Sequence, residues 1–158
     1  MPSKFIHYLL VGSTVEVFID KSNTFTGLLF QDGLMKTTYA AYPEVLLVDA
    51  TYKLNELRMP VYLMLVIDSN GQSEIIAVFL TSLETEEAIG DMIRAFKEHN
   101  PNWSSTKVVM TDKDFVERAV FCKEFPAASL LICLFHTLRS MKREVTTEKL
   151  GLRPGKLV

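Results

Sequence analysis

The chain has 158 residues, a formal net charge of −2, 48% hydrophobic residues and 23% charged residues. This length suits one ordinary domain with a sizeable core, and the composition excludes a disordered chain. The slightly acidic balance excludes a globally basic nucleic-acid-binding protein but leaves a local basic patch open. The two cysteines are too few for a disulfide framework, and no apolar run approaches the ~20 residues that span a bilayer. We therefore expect a soluble, intracellular protein with no membrane partner.

The first half of the chain predicts strands. Polar and apolar residues alternate on both sides of residues 21–23, which predicts a β-hairpin. Apolar strands are predicted at 44–49 and 61–68, and an Asn-Gly turn leads into a further strand at 73–81. Three strands of the main sheet therefore follow one another without a helix between them.

The second half alternates helices and strands. Four apolar residues repeat at the spacing of a helix that buries one face: Ile89, Met92, Ile93 and Phe96. Ser82 is the predicted N-cap of this helix, and Asn100 precedes the proline that ends it. The later elements are a strand at 107–111, a helix at 114–125, a strand at 128–135 and a helix from His136.

The predicted order is β-β-β-α-β-α-β-α, which favours an α/β fold with a mixed five-stranded sheet flanked by helices and preceded by an N-terminal hairpin. This order matches the ribonuclease H-like topology, in which the first strand of the sheet lies centrally beside the fourth. We divide the chain into a hairpin lead-in at 1–40, a ribonuclease H-like domain at 41–150 and a basic C-terminal tail at 151–158.

An aspartate ends each of two apolar strands. Asp49 follows the first strand and Asp112 follows the fourth, so the topology makes them neighbours. Carboxylates a few ångströms apart repel each other, and Mg²⁺ or Mn²⁺ relieves that repulsion. Two such ions can activate a water molecule and stabilise the leaving oxygen of a phosphodiester. We therefore predict both aspartates as catalytic metal ligands, and assign Asp114, three residues before Glu117, to a helix cap.

Two other interpretations of these aspartates are open. Asp commonly ends strands and caps helices, so both residues can be purely structural. The second interpretation is a phospho-acceptor receiver domain with Asp49 as the acceptor. Receiver domains, however, alternate strand and helix from the start. The three consecutive strands disfavour it.

Three motifs carry a resemblance to a known family. They are Asp-Ala-Thr-Tyr-Lys at 49–53, Thr-Asp at 111–112 and Cys-x-x-His at 133–136. Over about 27–145 the chain resembles the transposase domain of Mutator-like elements (MULE). More narrowly, it is similar to the ribonuclease H-like domain of the zinc finger SWIM domain-containing proteins, members one and three.

The resemblance implies roles for several residues. In that family the two aspartates are the first members of a DDE/D metal-binding triad, so Asp49 and Asp112 take those roles, with Mg²⁺ or Mn²⁺ as cofactor. The third acidic residue follows an insertion beyond the Cys-x-x-His that these 158 residues do not reach, and Glu144 is the candidate substitute. The transposases' upstream DNA-binding module and the downstream SWIM zinc finger do not occur in this sequence. We therefore expect an incomplete triad.

Cys133 and His136 have the spacing of half a zinc site. One such pair cannot complete four-coordinate zinc. The alternative is that Cys133 is a small buried hydrophobic residue.

Basic residues near the C-terminus suggest a nucleic-acid contact. Arg139 and Arg143 share a helix face at i and i+4, and the resemblance places Lys53 at the mouth of the carboxylate cleft. A DNA backbone can run along such a basic face. Solvated lysine and arginine side chains are the alternative.

Two functions are compatible with these features. The favoured one is a domesticated, non-catalytic interaction or nucleic-acid-associated module, nuclear by family resemblance, with protein partners open. The alternative is a metal-dependent nuclease or DNA strand-transfer enzyme that uses Asp49 and Asp112, with a third ligand from Glu144 or a partner chain.

Overall fold

The computed structural model describes residues 12–51, 59–112 and 115–144. Its strands are β1 (Thr14–Ile19), β2 (Phe25–Gln31), β3 (Val45–Thr51), β4 (Val61–Ile67), β5 (Ser73–Thr81), β6 (Val108–Thr111) and β7 (Ser129–Ile132). Its helices are α1 (Gly33–Ala41), α2 (Glu86–His99), α3 (Phe115–Glu124) and α4 (Leu134–Glu144), with a 3₁₀ turn at Pro101–Ser105. The predicted cap Asp114 and the tail at 151–158 lie outside the described residues.

The strands form one mixed sheet in the order β1-β2-β5-β4-β3-β6-β7. β3, β4 and β5 are an antiparallel meander, whereas β3 pairs with β6, and β6 with β7, in parallel. The predicted mixed α/β class is confirmed, and so is the placement of the first strand of the main sheet beside the fourth. The antiparallel meander also excludes the parallel sheet of a receiver.

The sheet has seven strands rather than the predicted five because the N-terminal hairpin is part of it. β2 pairs with β5 from Gly27 opposite Thr81 to Phe30 opposite Val78. Glycine is needed at position 27 because the two backbones approach closely there: a Cβ would lie 2.7 Å from the Leu80 carbonyl oxygen. The hairpin therefore extends the sheet.

Helix α1 is absent from the sequence-based prediction. The Asp32 side chain caps it by accepting a hydrogen bond from the Met35 amide at 2.7 Å. Tyr39 is its one fully buried side chain, so α1 has no repeating apolar pattern to reveal it. Its Asp-Gly start is more typical of a turn.

Helix α2 has the predicted apolar face, with Ile89, Met92, Ile93 and Phe96 all buried. Thr85, not Ser82, is the N-cap, since its hydroxyl accepts a hydrogen bond from the Ala88 amide at 3.3 Å. The helix ends at His99, immediately before Asn100. Its first turn carries acidic residues and its last turn basic ones, as the helix dipole favours.

The core lies on one face of the sheet. Side chains such as Leu29, Val48 and Phe79 pack there with residues from α1, α2 and α3. Because side chains alternate along a strand, the neighbouring residues project from the other face. In the described part of the chain that second face is largely apolar but only partly covered: Leu28 and Leu47 are half-buried, and Val17 opposite Leu28 is exposed.

Two buried amides join the end of α2 to β2. Gln31 Nε2 donates to the Ile76 carbonyl at 2.8 Å and to Asn100 Oδ1 at 3.0 Å. Asn100 Nδ2 donates to Gln31 Oε1 at 2.9 Å and to the Phe96 carbonyl at 2.7 Å. Because each side-chain amide satisfies hydrogen-bonding groups of the other, both can be buried at little cost. The pair also fixes the end of the helix relative to the sheet.

Lys97 and Glu124 join α2 to α3. Lys97 Nζ lies 2.8 Å from Glu124 Oε2, donates to the Glu124 backbone carbonyl and lies over the Trp103 ring at 4.3 Å. Partial burial raises the pKa of Glu124, but the hydrogen bonds and charges of Lys97 and Arg94 outweigh it. The pKa of Glu124 therefore lies below its usual value.

We predict that Glu124→Gln lowers the free energy of unfolding at pH 7 by about 1.5 kcal/mol, because a charge-assisted hydrogen bond is lost. A lowered folded-state pKa stabilises the fold above the unfolded-state pKa, and this contribution is lost as the pH falls through the folded-state value. Urea unfolding from neutral pH down to about pH 3 is expected to show the wild-type advantage shrinking. A difference that is constant with pH would contradict the prediction.

Candidate functional site

Asp49 lies near the end of β3, on the sheet face opposite the core helices. Leu46 and Val48 are buried in the core, so the alternation of the strand projects Leu47 and Asp49 from the other face. Asp49 lies opposite Leu63 of β4 in the antiparallel register. The carboxylate is therefore held on the largely apolar second face of the sheet, with its side chain 38% exposed.

Asp112 directly follows β6 and is half-buried. Leu47 pairs with Met110 in the parallel register of β3 and β6. Two further residues along each strand bring Asp49 level with Asp112. Residues in register share a face when both strands keep their alternation, so the fold brings together the two strand ends that the sequence analysis selected.

The Asp49 carboxylate has a partner at each oxygen. The Thr51 hydroxyl donates to Oδ2 at 3.0 Å, and His136 Nε2 lies 3.3 Å from Oδ1. Thr51 reaches the carboxylate because residues two apart on a strand share a face. Neither contact was predicted from the sequence. The i, i+2 spacing could have indicated Thr51, whereas no local signal indicates His136.

Cys133 and His136 lie at the junction of β7 and α4. The Cys133 amide donates to the Thr111 carbonyl at 2.8 Å, and its carbonyl accepts from the Thr137 amide at 3.1 Å. This places α4 directly after the strand end that neighbours Asp112. Cys133 is half-buried rather than fully buried, and His136 lies 3.3 Å from Asp49.

Asp49 and Asp112 are the candidate ligands for a divalent metal ion. Asp49 and Asp112 are hard oxygen ligands at neighbouring strand ends and would hold Mg²⁺ or Mn²⁺, which can polarise a phosphodiester and activate water. Within residues 12–51, 59–112 and 115–144, no three His, Cys, Asp or Glu side chains converge into a metal-binding group. We call Asp49 and Asp112 the carboxylate pair, because they lie at adjacent strand ends; the His136 imidazole lies beside Asp49.

The predicted basic contacts are only partly described. Lys53 lies outside the described residues, and α4 contains Arg139, Arg143 and Glu144, whose side chains lie outside the described part of the structure. Lys142 of the same helix is exposed. Three apolar side chains of α4 are exposed as well: Leu134, Leu138 and Met141.

The parallel pairing of β3 with β6, the antiparallel meander and the aspartates at adjacent strand ends define a ribonuclease H-like domain. The family model for the ribonuclease H-like domain of zinc finger SWIM domain-containing protein 1/3 matches residues 8–131. The match covers most of the chain and includes the N-terminal hairpin. The chain belongs to this family, as the sequence motifs predicted.

Within the described ranges, every helix is too short or too polar to traverse a lipid bilayer.

Proposed function

We propose that this chain is a domesticated, non-catalytic domain of Mutator-transposase descent, acting in the nucleus as an interaction or nucleic-acid-associated module. The family assignment supports the descent. The sheet supports a scaffold role, because β3 and β6 are interior strands that each pair with a neighbour on both sides.

The observation that carries the proposal is that side chains of this chain already contact both oxygens of the Asp49 carboxylate. Thr51 and His136 approach its two oxygens at 3.0 and 3.3 Å, where a divalent ion would require open coordination positions. Metal binding at Asp49 would therefore have to displace the Thr51 hydroxyl and the His136 imidazole from the carboxylate oxygens.

A second candidate is a metal-dependent nuclease or strand-transfer enzyme. The observation that favours it is the parallel register, which brings Asp49 level with Asp112. In this case Asp49 and Asp112 would hold Mg²⁺ or Mn²⁺, with a further ligand from Glu144 or from a partner chain. A basic face on α4 that includes Arg139 and Arg143 would contact the DNA backbone in either case.

Thermal unfolding with and without Mn²⁺ separates the two candidates. For the non-catalytic module we expect no resolvable change in Tm on adding Mn²⁺ to the wild type, and no difference between wild type and Asp49→Asn in duplex DNA binding. If the site holds an ion, free Mn²⁺ at 100 times its Kd is expected to raise the free energy of unfolding of the wild type by about 2.7 kcal/mol.

Asp91→Asn is the matched control, since it makes the same chemical change at an exposed helix position. Nuclease assays with Mg²⁺ and Mn²⁺ accompany the unfolding measurements. Ion-dependent stabilisation and DNA cleavage that both disappear in Asp49→Asn but persist in Asp91→Asn would refute the non-catalytic proposal and establish the enzyme.

A further inference from the structure

A cleft of about 490 Å³ lies between the turn of the N-terminal hairpin and the start of α2. This volume is within the ~300–1,000 Å³ of small-ligand sites. Phe18, Gly27 and Thr81 line it from the core side of the sheet, whereas Asp49 projects from the other side. The cleft is therefore separate from the carboxylate pair.

The cleft combines apolar walls with an acidic rim. Phe18 and Leu83 supply apolar surface, and Asp20 and Glu87 supply carboxylates. The side chains of Asp91 and Lys21 also line it, but Asp91 is already paired with Arg94 at 2.5 Å. The lining as a whole thus carries three carboxylates against one lysine.

Asp20 is oriented by its own turn. Its Oδ1 accepts hydrogen bonds from the Ser22 hydroxyl at 2.6 Å, the Ser22 amide at 2.8 Å and the Thr24 amide at 2.9 Å. The hydrogen bond from the Ser22 hydroxyl is the main cause that lowers the pKa of Asp20, so the group stays ionised at neutral pH. All three of these bonds use Oδ1, which leaves Oδ2 for a ligand.

The chemistry of the rim selects a cation. An anion at the start of α2 would meet Glu86 and Glu87 in the first turn, and Thr85 already caps the Ala88 amide. A side chain with an apolar stem and a positive head fits both the walls and the rim. Arginine suits best, because its planar guanidinium stacks on an aromatic face and bonds carboxylates.

The edge of the sheet indicates that this arginine belongs to a peptide. Among the described strands β1 pairs only with β2, so its outer edge can accept an added extended strand. Phe18 and Ile19 at the end of β1 also line the cleft. A peptide that extends along β1 would therefore pass the mouth of the cleft.

We propose that this cleft binds an arginine side chain of an extended basic peptide, with the aliphatic stem against Phe18 and Leu83 and the guanidinium at Asp20 and Glu87. This site is independent of the function proposed for the carboxylate pair. It gives the domain a protein-binding surface on the opposite side of the sheet.

The test is an NMR titration of the ¹⁵N-labelled chain with the blocked pentapeptide Ala-Val-Arg-Val-Ala. We expect saturable shifts of the Ser22, Gly27 and Ala88 amides. A peptide with citrulline in place of arginine keeps the shape but loses the charge, and is expected to bind at least about tenfold more weakly. Glu87→Gln is expected to lower the affinity for the arginine peptide by a similar factor.

Glu98→Gln is the matched control, because Glu98 is exposed near the other end of α2 and does not line the cleft. It should bind like the wild type, and equal Tm values of the two variants will show that both fold. Equal binding of the arginine and citrulline peptides, or unchanged affinity in Glu87→Gln, would overturn the proposal. Equal affinity for free arginine amide would overturn the peptide part of it.

Discussion

Replacing Phe96 with alanine is expected to lower the free energy of unfolding by about 4 kcal/mol, the largest effect of any substitution considered. Phe96 is fully buried at the centre of the core. Its ring lies 5.0 Å from the ring of Tyr39, centroid to centroid, and the two are tilted by 57°. The truncation removes apolar burial, leaves a cavity and breaks this aromatic contact between α1 and α2.

Urea unfolding followed by circular dichroism measures this loss. Phe25→Ala is the matched control, since Phe25 is 42% exposed at the start of β2. It should cost far less, because a large part of the removed surface is already in contact with water. A loss below about 1.5 kcal/mol for Phe96→Ala would mean that the helices do not pack on the sheet as described.

The second large effect is expected for Asn100→Ala, at about 3 kcal/mol. The variant leaves two buried acceptors, Gln31 Oε1 and the Phe96 carbonyl, without the Asn100 donor. An unsatisfied buried polar group costs about 1–3 kcal/mol. The cost therefore comes from the groups left behind more than from the bond itself.

A double-mutant cycle with Gln31→Leu tests this explanation. Because the two amides satisfy each other, the double variant should be destabilised by clearly less than the sum of the single variants. Asn102→Ala is the control: Asn102 is half-buried and its amide makes one long contact, 3.4 Å to the Tyr39 carbonyl. Additive losses would show that Gln31 and Asn100 do not act as a pair.

The parts of the fold predicted from sequence are those with a local periodic signal. The hairpin, the meander and the apolar face of α2 each repeat at the period of a strand or a helix, and all were predicted. Helix α1 was missed because it buries a single side chain, Tyr39. The pairing of β2 with β5 was missed because it joins residues far apart in sequence. It also depends on the close approach of the two backbones at Gly27.

The candidate site divides in the same way. The sequence predicted that Asp49 and Asp112 lie near each other because each follows an apolar run and the topology brings parallel strand ends together, and their roles in a site stay a prediction. The contact of His136 with Asp49 was not predicted, since it depends on where α4 leaves β7. The sequence instead suggested Cys133 as the partner of His136, because a spacing of three residues is a zinc-ligand signature.

The parallel pairing of β3 with β6 has a consequence for how the protein folds. The antiparallel strands β3, β4 and β5 follow one another along the chain, so they can pair before β6 has been synthesised. Asp112 reaches Asp49 only after α2 and β6 have been synthesised, and His136 follows after a further helix and strand. Closing such long loops costs entropy and slows folding. We therefore expect the surroundings of Asp49 to be assembled last, around a meander that is already in place.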